Sequence, residues 1–205
     1  MQVVRTFIAI EFSTAVHQQL QAIITDLQHN LQDHRALACL RWVAAKNIHL
    51  TLRFLGETTP LQSQRLTSGL CAATSDHPPF ALTIGGLGGF PNLRQPRVLW
   101  LSVGGDLPQL TALQTKVEAA VQVAGFAAEE RPFSAHVTLA RAQRNATKVQ
   151  LRRVGELLRE QRTIPQIPVH IDSIVHMQSD LRAGGAVYRP LAQFGLNRNF
   201  GSKPI

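Results

Sequence analysis

A four-residue pattern occurs twice in this chain and governs how it can fold. The first copy is His49-Leu50-Thr51-Leu52, and the second, His136-Val137-Thr138-Leu139, lies 87 residues later. In an extended strand, alternate side chains share a face. At that period Ile48, Leu50, Leu52 and Phe54 point one way, while His49, Thr51 and Arg53 point the other. Around the second copy Ala135, Val137 and Leu139 face a core, and Ser134, His136 and Thr138 turn to the opposite side. Each copy therefore sets an imidazole beside a hydroxyl on a strand whose other face is buried. Two imidazoles suit acid–base work, one taking a proton while the other gives one. They can share a substrate only if the fold brings both strands together.

The elements around the two copies follow one order. Arg5 to Phe12 reads as a strand rich in Phe and Ile. Ser13 or Thr14 caps a helix whose stripe is Val16, Leu20, Ile23, Ile24, Leu27 and Leu31. A short extended piece at Leu40 to Val43 precedes the first motif strand, which runs to about Leu55 and ends at Gly56. Pro60 then opens a helix with Leu61, Leu66, Leu70 and Ala73 inward. A strand from Phe80 to Leu87 and a Gly- and Pro-rich loop close the half. The second half repeats this. A strand at Arg97 to Val103 is followed by a helix capped by Asp106, with Leu107, Leu110, Leu113, Val117, Val121 and Ala124 inward. The second motif strand, a basic helix from Thr147 to Gln161, a strand from Pro168 to Gln178 and a last strand from Val187 to Phe194 complete it. The expectation is an α/β (α+β) fold of two similar lobes, mainly antiparallel sheet with outer helices, and a cleft between the motif strands. Residues 1–197 are expected to form one bilobal domain whose lobes can exchange terminal strands, and 198–205 a polar, basic tail.

Charge and cysteine usage narrow the partner. Lys and Arg number 21 against 13 Asp and Glu, a net charge of +8, which favours a polyanion such as RNA. Cys39 and Cys71 are too few for a disulfide framework and lack metal-ligand spacing. The apolar run Phe7 to Ile10 is too short for a secretory segment or a membrane span. A reduced, cytoplasmic setting with no membrane association is expected. If the cleft binds a phosphodiester, one neutral His accepts a proton from the attacking water while a protonated His donates to the departing oxygen. Thr51 and Thr138 would then hydrogen-bond the non-bridging oxygens, where charge develops. This scheme calls for no metal or other cofactor, and the sequence carries no His-Glu-x-x-His stretch.

At these residues a family resemblance enters. Asn47-Ile48-His49-Leu50-Thr51-Leu52-Arg53-Phe54-Leu55-Gly56, preceded by Trp42, resembles the first motif region of the two-histidine (2H) phosphoesterases. Within them it is similar to the RNA 2',3'-cyclic phosphodiesterases, also called 2'-5' RNA ligases (LigT-like). Arg5-Thr6-Phe7-Ile8-Ala9-Ile10 resembles that family's opening, and Arg131 to Arg141 its second motif region. Family members usually carry Pro before the second His, where this chain has Ala135. The resemblance implies the bilobal 2H fold and hydrolysis of a terminal 2',3'-cyclic phosphate to a 2'-phosphate, with 2'-5' ligation as a secondary reaction. It implies His49 as proton donor to the leaving 3'-oxygen and His136 as the base that activates water; strand physics alone leaves those roles open. Arg141 is kept as a phosphate contact by the resemblance, although regular alternation turns it away from His136. Arg53 is a second phosphate candidate because it shares the His49 face. The implied partner is RNA ending in a cyclic phosphate, tRNA fragments included, acted on by a monomer.

The remaining candidates read more plainly. His17, His29 and His34 belong to the surface of the first helix or just beyond it. His170 and His176 share a strand face near the C-terminus, at the edge of the cleft rather than in its chemistry. Gly85-Gly86-Leu87-Gly88-Gly89 lacks the Lys-Ser/Thr ending of a phosphate loop and reads as a flexible connection. The run Arg141, Arg144, Lys148, Arg152, Arg153, Arg159 and Arg162 is a solvated face or an RNA-backbone footprint. Two competing functions share this fold: an RNA-binding protein without catalysis, and a phosphodiesterase for a small cyclic nucleotide.

Overall fold

The computed structural model describes residues 3–30, 38–159, 164–182 and 185–197. His34, Arg162 and the tail 198–205 lie outside the described residues. In chain order the elements are β1 (Val4–Ile10), α1 (Thr14–Asn30), β2 (Leu40–Trp42), a 3₁₀ turn (Ala45–Asn47), β3 (Leu50–Thr58), α2 (Pro60–Ser75) and β4 (Phe80–Phe90). They continue with β5 (Val98–Gly105), α3 (Leu107–Val123), β6 (His136–Ala142), α4 (Lys148–Arg159), β7 (Ile167–Ile171), β8 (Ser173–Arg182) and β9 (Gly185–Gly195).

The helices form where apolar stripes and caps coincide. Val16, Leu20, Ile23, Ile24 and Leu27 of α1 are all buried, one stripe at helical spacing. A capping box starts α2: the Gln62 amide donates to the Thr59 hydroxyl, and the Gln62 side chain accepts from the Thr59 amide. Asp106 caps α3 by accepting from the Gln109 amide. Leu61 and Leu107, expected to face inward, are exposed instead. Both lie in first helical turns, ahead of the part of the stripe that meets the core. Gly69 of α2 lies against Ala120 of α3, where a β-carbon would come within 3.0 Å of the alanine methyl. That absence lets the two helices cross closely.

The strands run in the order β7-β4-β5-β6-β3-β1-β8-β9, with β2 also on β6, and every pairing is antiparallel. The order is symmetric about its middle. In one half the motif strand β3 lies beside β1, then β8, then β9; in the other, β6 lies beside β5, then β4, then β7. Thus β4 leaves the first repeat to pair with β5, and β8 leaves the second to pair with β1. The stretch expected as one strand from Pro168 to Gln178 is accordingly two. It breaks at Asp172, with β7 on β4 in one half and β8 on β1 in the other. His170 is exposed on β7 and His176 is fully buried on β8, so they share no face.

The glycine run is also strand rather than flexible connection, since Gly85 to Gly89 lie within β4. At Gly88 a neighbour explains the glycine. The Trp100 ring of β5 fills the space that a side chain on Gly88 would need. That ring packs against Phe90, with centroids 5.2 Å apart. Among the described residues no helix is long and apolar enough to cross a membrane.

Candidate active site

The two motif strands meet at one residue pair, Leu50 with Val137. These are the central residues of the two patterns, and both are fully buried. In an antiparallel register centred there, His49 falls opposite Thr138 and Thr51 opposite His136. With the apolar centres turned to the core, all four polar side chains turn to the other face. They line one cavity of about 100 Å³ together with Asn47, Phe54, Arg141 and Tyr188.

A bulge in each motif strand decides what else reaches this cavity. On β3 the partners of Ala9 and Ile8 are Thr51 and Arg53, leaving Leu52 as the extra residue. On β6 the partners of Leu99 and Trp100 are Ala140 and Thr138, leaving Leu139 extra. An extra residue reverses the alternation beyond it. Arg53 therefore does not line the small cavity with His49; it lines the larger neighbouring one with Thr51 and His136. Its guanidinium reaches α3 and the loop after it, contacting Glu118 at 2.7 Å, Glu129 at 3.0 Å and the Ala127 carbonyl at 2.6 Å. Glu118 is held below the usual carboxylate range: burial opposes this, but bonds from Gln122, the Glu129 amide and Arg53 outweigh it. Phe54, expected in the core, is 57% exposed on the cavity side. Arg141 is turned toward His136 and Thr138 by the second bulge. Phe54 and Arg141 each stand five positions after their motif histidine, so the repeat places an aromatic ring and a guanidinium at equivalent points.

The histidines are oriented by one device used twice. His49 Nδ1 lies 2.8 Å from the Asn47 carbonyl, and His136 Nδ1 lies 2.7 Å from the Ser134 carbonyl. A carbonyl only accepts, so Nδ1 carries the hydrogen in both rings. Nε2 is left in each to accept or donate a proton. Asn47 is itself anchored, its side-chain amide donating to the Ala186 carbonyl at 3.1 Å. Aromatic rings fix both imidazoles. Phe7 stacks on His49 at 4.8 Å and Tyr188 meets its edge at 5.1 Å. Phe90 stands edge-on to His136 at 5.0 Å, with Trp100 at 6.2 Å.

Their surroundings differ. Burial pushes His49 down to about 4; the Asn47 carbonyl pulls the other way, and the positive charges of Arg141 and His17 add to the depression. Burial raises the Tyr188 phenol, against the pull of Arg141 and Arg41. A larger cavity of about 590 Å³ adjoins the first and shares Thr51, Phe54 and His136 with it. Phe90, Phe133, Gln114 and Arg131 line its far side. The smaller space suits a phosphate group and the larger has the size of a small-molecule site.

Sequence reasoning missed Phe54 and Tyr188 as lining residues. Tyr188 had no motif around it, and it arrives only because the β8–β9 hairpin crosses to β1. Among the described residues no group of three or more His, Cys, Asp or Glu is placed to hold a metal ion.

Comparison with known proteins identifies the relatives of this arrangement. The model of the 2'-5' RNA ligase superfamily matches residues 14–183. The RNA 2',3'-cyclic phosphodiesterase of Thermotoga maritima is 32% identical over 187 residues, covering 91% of this chain and 92% of its own. The protein of the same name from Aquifex aeolicus is 28% identical over 197 residues, covering 96% and 99%. Among solved structures, E. coli LigT complexed with 3'-AMP superposes with a TM-score of 0.71 at 25% identity, covering 95% of this chain and 99% of that one. This chain belongs to the 2'-5' RNA ligase superfamily and has the LigT fold.

Proposed function

We propose that this protein is an RNA 2',3'-cyclic phosphodiesterase that opens a terminal cyclic phosphate to a 2'-phosphomonoester without a metal. The observation that carries this is the convergence of two carbonyl-oriented imidazoles, two threonine hydroxyls and Arg141 on one phosphate-sized cavity. The Thermotoga maritima and Aquifex aeolicus relatives are named RNA 2',3'-cyclic phosphodiesterases. Water attacks phosphorus as His136 Nε2 takes its proton. The bond from phosphorus to the 3'-oxygen breaks, and His49 Nε2 supplies that oxygen with a proton. Thr51, Thr138 and Arg141 stabilise the charge on the non-bridging oxygens. Arg53, occupied by Glu118 and Glu129, is assigned to support of the loop beside the site rather than to the phosphate. The exposed Phe54 ring offers a face on which the terminal base can stack. A 5'-hydroxyl in place of water would give 2'-5' ligation with the same pair.

The test is to incubate a short RNA ending in a 2',3'-cyclic phosphate with the protein and a chelator, then identify the terminal phosphate by chromatography. The expected product is the 2'-phosphate. His49→Ala and His136→Ala should each lower turnover by roughly 10²-fold or more while the far-UV spectrum is kept. An active double variant would sink the assignment. Binding without hydrolysis would favour the RNA-binding alternative. Hydrolysis of small cyclic nucleotides but not of RNA would favour the second competitor.

A further inference from the structure

The two cavities around the histidines have room for a phosphate and about one nucleoside, so the rest of an RNA strand must lie against other surface. One candidate begins at the residue that follows Phe90 in the chain. A cavity of about 410 Å³ opens between the β4–β5 connection and the first turn of α4, lined by Asn92, Arg94, Gln95, Arg97 and Lys148. We propose that this cavity is a backbone site for the RNA strand, holding phosphates on the 5' side of the cyclic end. The proposal rests on the RNA phosphodiesterase reading and specifies which substrate that site takes.

Three observations carry it. The first is continuity with the site. Phe90 stands against His136 and lines the nucleoside-sized cavity, and the next residue, Pro91, lines the basic one. On its other side the Arg97 carbonyl accepts from the Ala142 amide at 2.8 Å, beside Arg141.

The second is uncompensated charge. Arg94, Arg97 and Lys148 are exposed. Among the described residues no carboxylate lies within ion-pair distance of any of them, and no acidic residue lines the cavity. Lys148 also sits in the first turn of α4, which carries no acidic residue and where the helix dipole disfavours a cation. Positive charge gathered this way is relieved by an anion. A second cavity of about 260 Å³ continues from Arg94 and Gln95 to Arg152, Arg159 and Glu156. There Glu156 lies 3.8 Å from Arg152 and 3.6 Å from Arg153, so the charge is partly balanced and the first cavity is the stronger phosphate site.

The third is that the floor is built. Gly155 of α4 lies directly against the carbonyl oxygens of Leu93 and Arg94, with no room for a side chain. The Asn92 side-chain oxygen accepts from the Arg94 and Gln95 amides at 2.9 and 3.2 Å. The helix thus fixes the connection, and the three cations sit on a common frame.

The test compares two substrates. Wild-type protein and a variant carrying Arg94→Ala, Arg97→Ala and Lys148→Ala are assayed on an RNA of about 12 nucleotides ending in a 2',3'-cyclic phosphate, and on a mononucleoside 2',3'-cyclic phosphate. The variant should lose about tenfold or more in kcat/KM on the RNA, mostly through KM, with its log–log salt dependence flattened by about 2. Its activity on the mononucleoside should be unchanged. Equal effects on both substrates, or no effect on either, would overturn the proposal. If wild-type protein hydrolyses neither substrate, the phosphodiesterase reading fails, and fluorescence anisotropy with the same RNA carrying a 3'-phosphate isolates the backbone site. Weaker binding by the variant would then support that site, and equal binding would overturn it.

Discussion

His49 and His136 share a tautomer and differ in environment, and the difference bears on their roles. Burial holds His49 near 4, so it is neutral at pH 7. To serve as the acid it must gain a proton when the anionic phosphodiester arrives beside Nε2 and offsets the burial. Binding of a 2'-phosphate product or analogue at pH 7 should therefore take up a proton, read by calorimetry in buffers of different ionisation enthalpy. The uptake should vanish in His49→Asn; no uptake by wild-type protein would favour the reverse assignment, with His49 as the base. His176 makes a different prediction. It is fully buried, and among the described residues neither ring nitrogen has a hydrogen-bond partner, so burial lowers it to about 4. Its unfolded value is about 6.5, so the unfolded chain binds the extra proton first as the pH falls. The stability of the neutral ring is fully present above pH 6.5 and is lost progressively towards 4, by roughly 3 kcal/mol at most. His176→Leu, which also removes two unpaired nitrogens, should raise the urea midpoint and flatten its fall between pH 7 and 4.5. An unchanged pH profile would refute this.

At the scale of the element, regular strand alternation was a sound guide up to the bulges and misleading past them. Leu50, Leu52, Val137 and Leu139 are buried and both histidines face the cavity, as period two requires. Beyond the extra residues the same rule failed at Phe54 and Arg141, and it carried no sign that Arg53 would be held by Glu118 and Glu129. A bulge is a property of two paired strands, and a single strand's pattern carries little sign of it. The helices were legible because their stripes and caps are local. The glycine run was not, because its causes are side chains brought up by the fold, the Trp100 ring against Gly88 and Gln166 against Gly85 among them. The two arginines test the bulges directly. Arg141→Ala should cost on the order of 10²-fold in kcat/KM with the denaturation midpoint kept. Arg53→Ala should do the reverse. It takes one of the hydrogen bonds from the largely buried Glu118, costing about 2 kcal/mol of stability, with turnover changed far less. Loss of turnover without loss of stability in Arg53→Ala would return it to the phosphate site.

The whole molecule is organised so that neither repeat can complete its own sheet. Each half of the sheet takes its third strand from the other repeat, β8 beside β1 and β4 beside β5, and the only pairing between the motif strands is Leu50 with Val137. The same crossing carries Tyr188 to His49 and brings Val175 and Met177 under Phe7 and Ala9. The floor of the His49 side is thus supplied by the last strands of the chain. Two halves that exchange strands cannot unfold one at a time without exposing paired edges and apolar faces in both. Urea unfolding should therefore show one transition. Tryptophan fluorescence, which reports Trp42 and Trp100 in the half built on β6, should coincide with far-UV circular dichroism, which reports both. Ending the chain after Ile171 removes β8 and β9, and should abolish the transition in both signals rather than leave the β6 half standing. If that half instead melts alone, with native Trp fluorescence, the exchange is a topological detail and the two repeats are energetically separate. The two histidines would then be held together only by the Leu50–Val137 seam, and activity should be lost well before the fluorescence change.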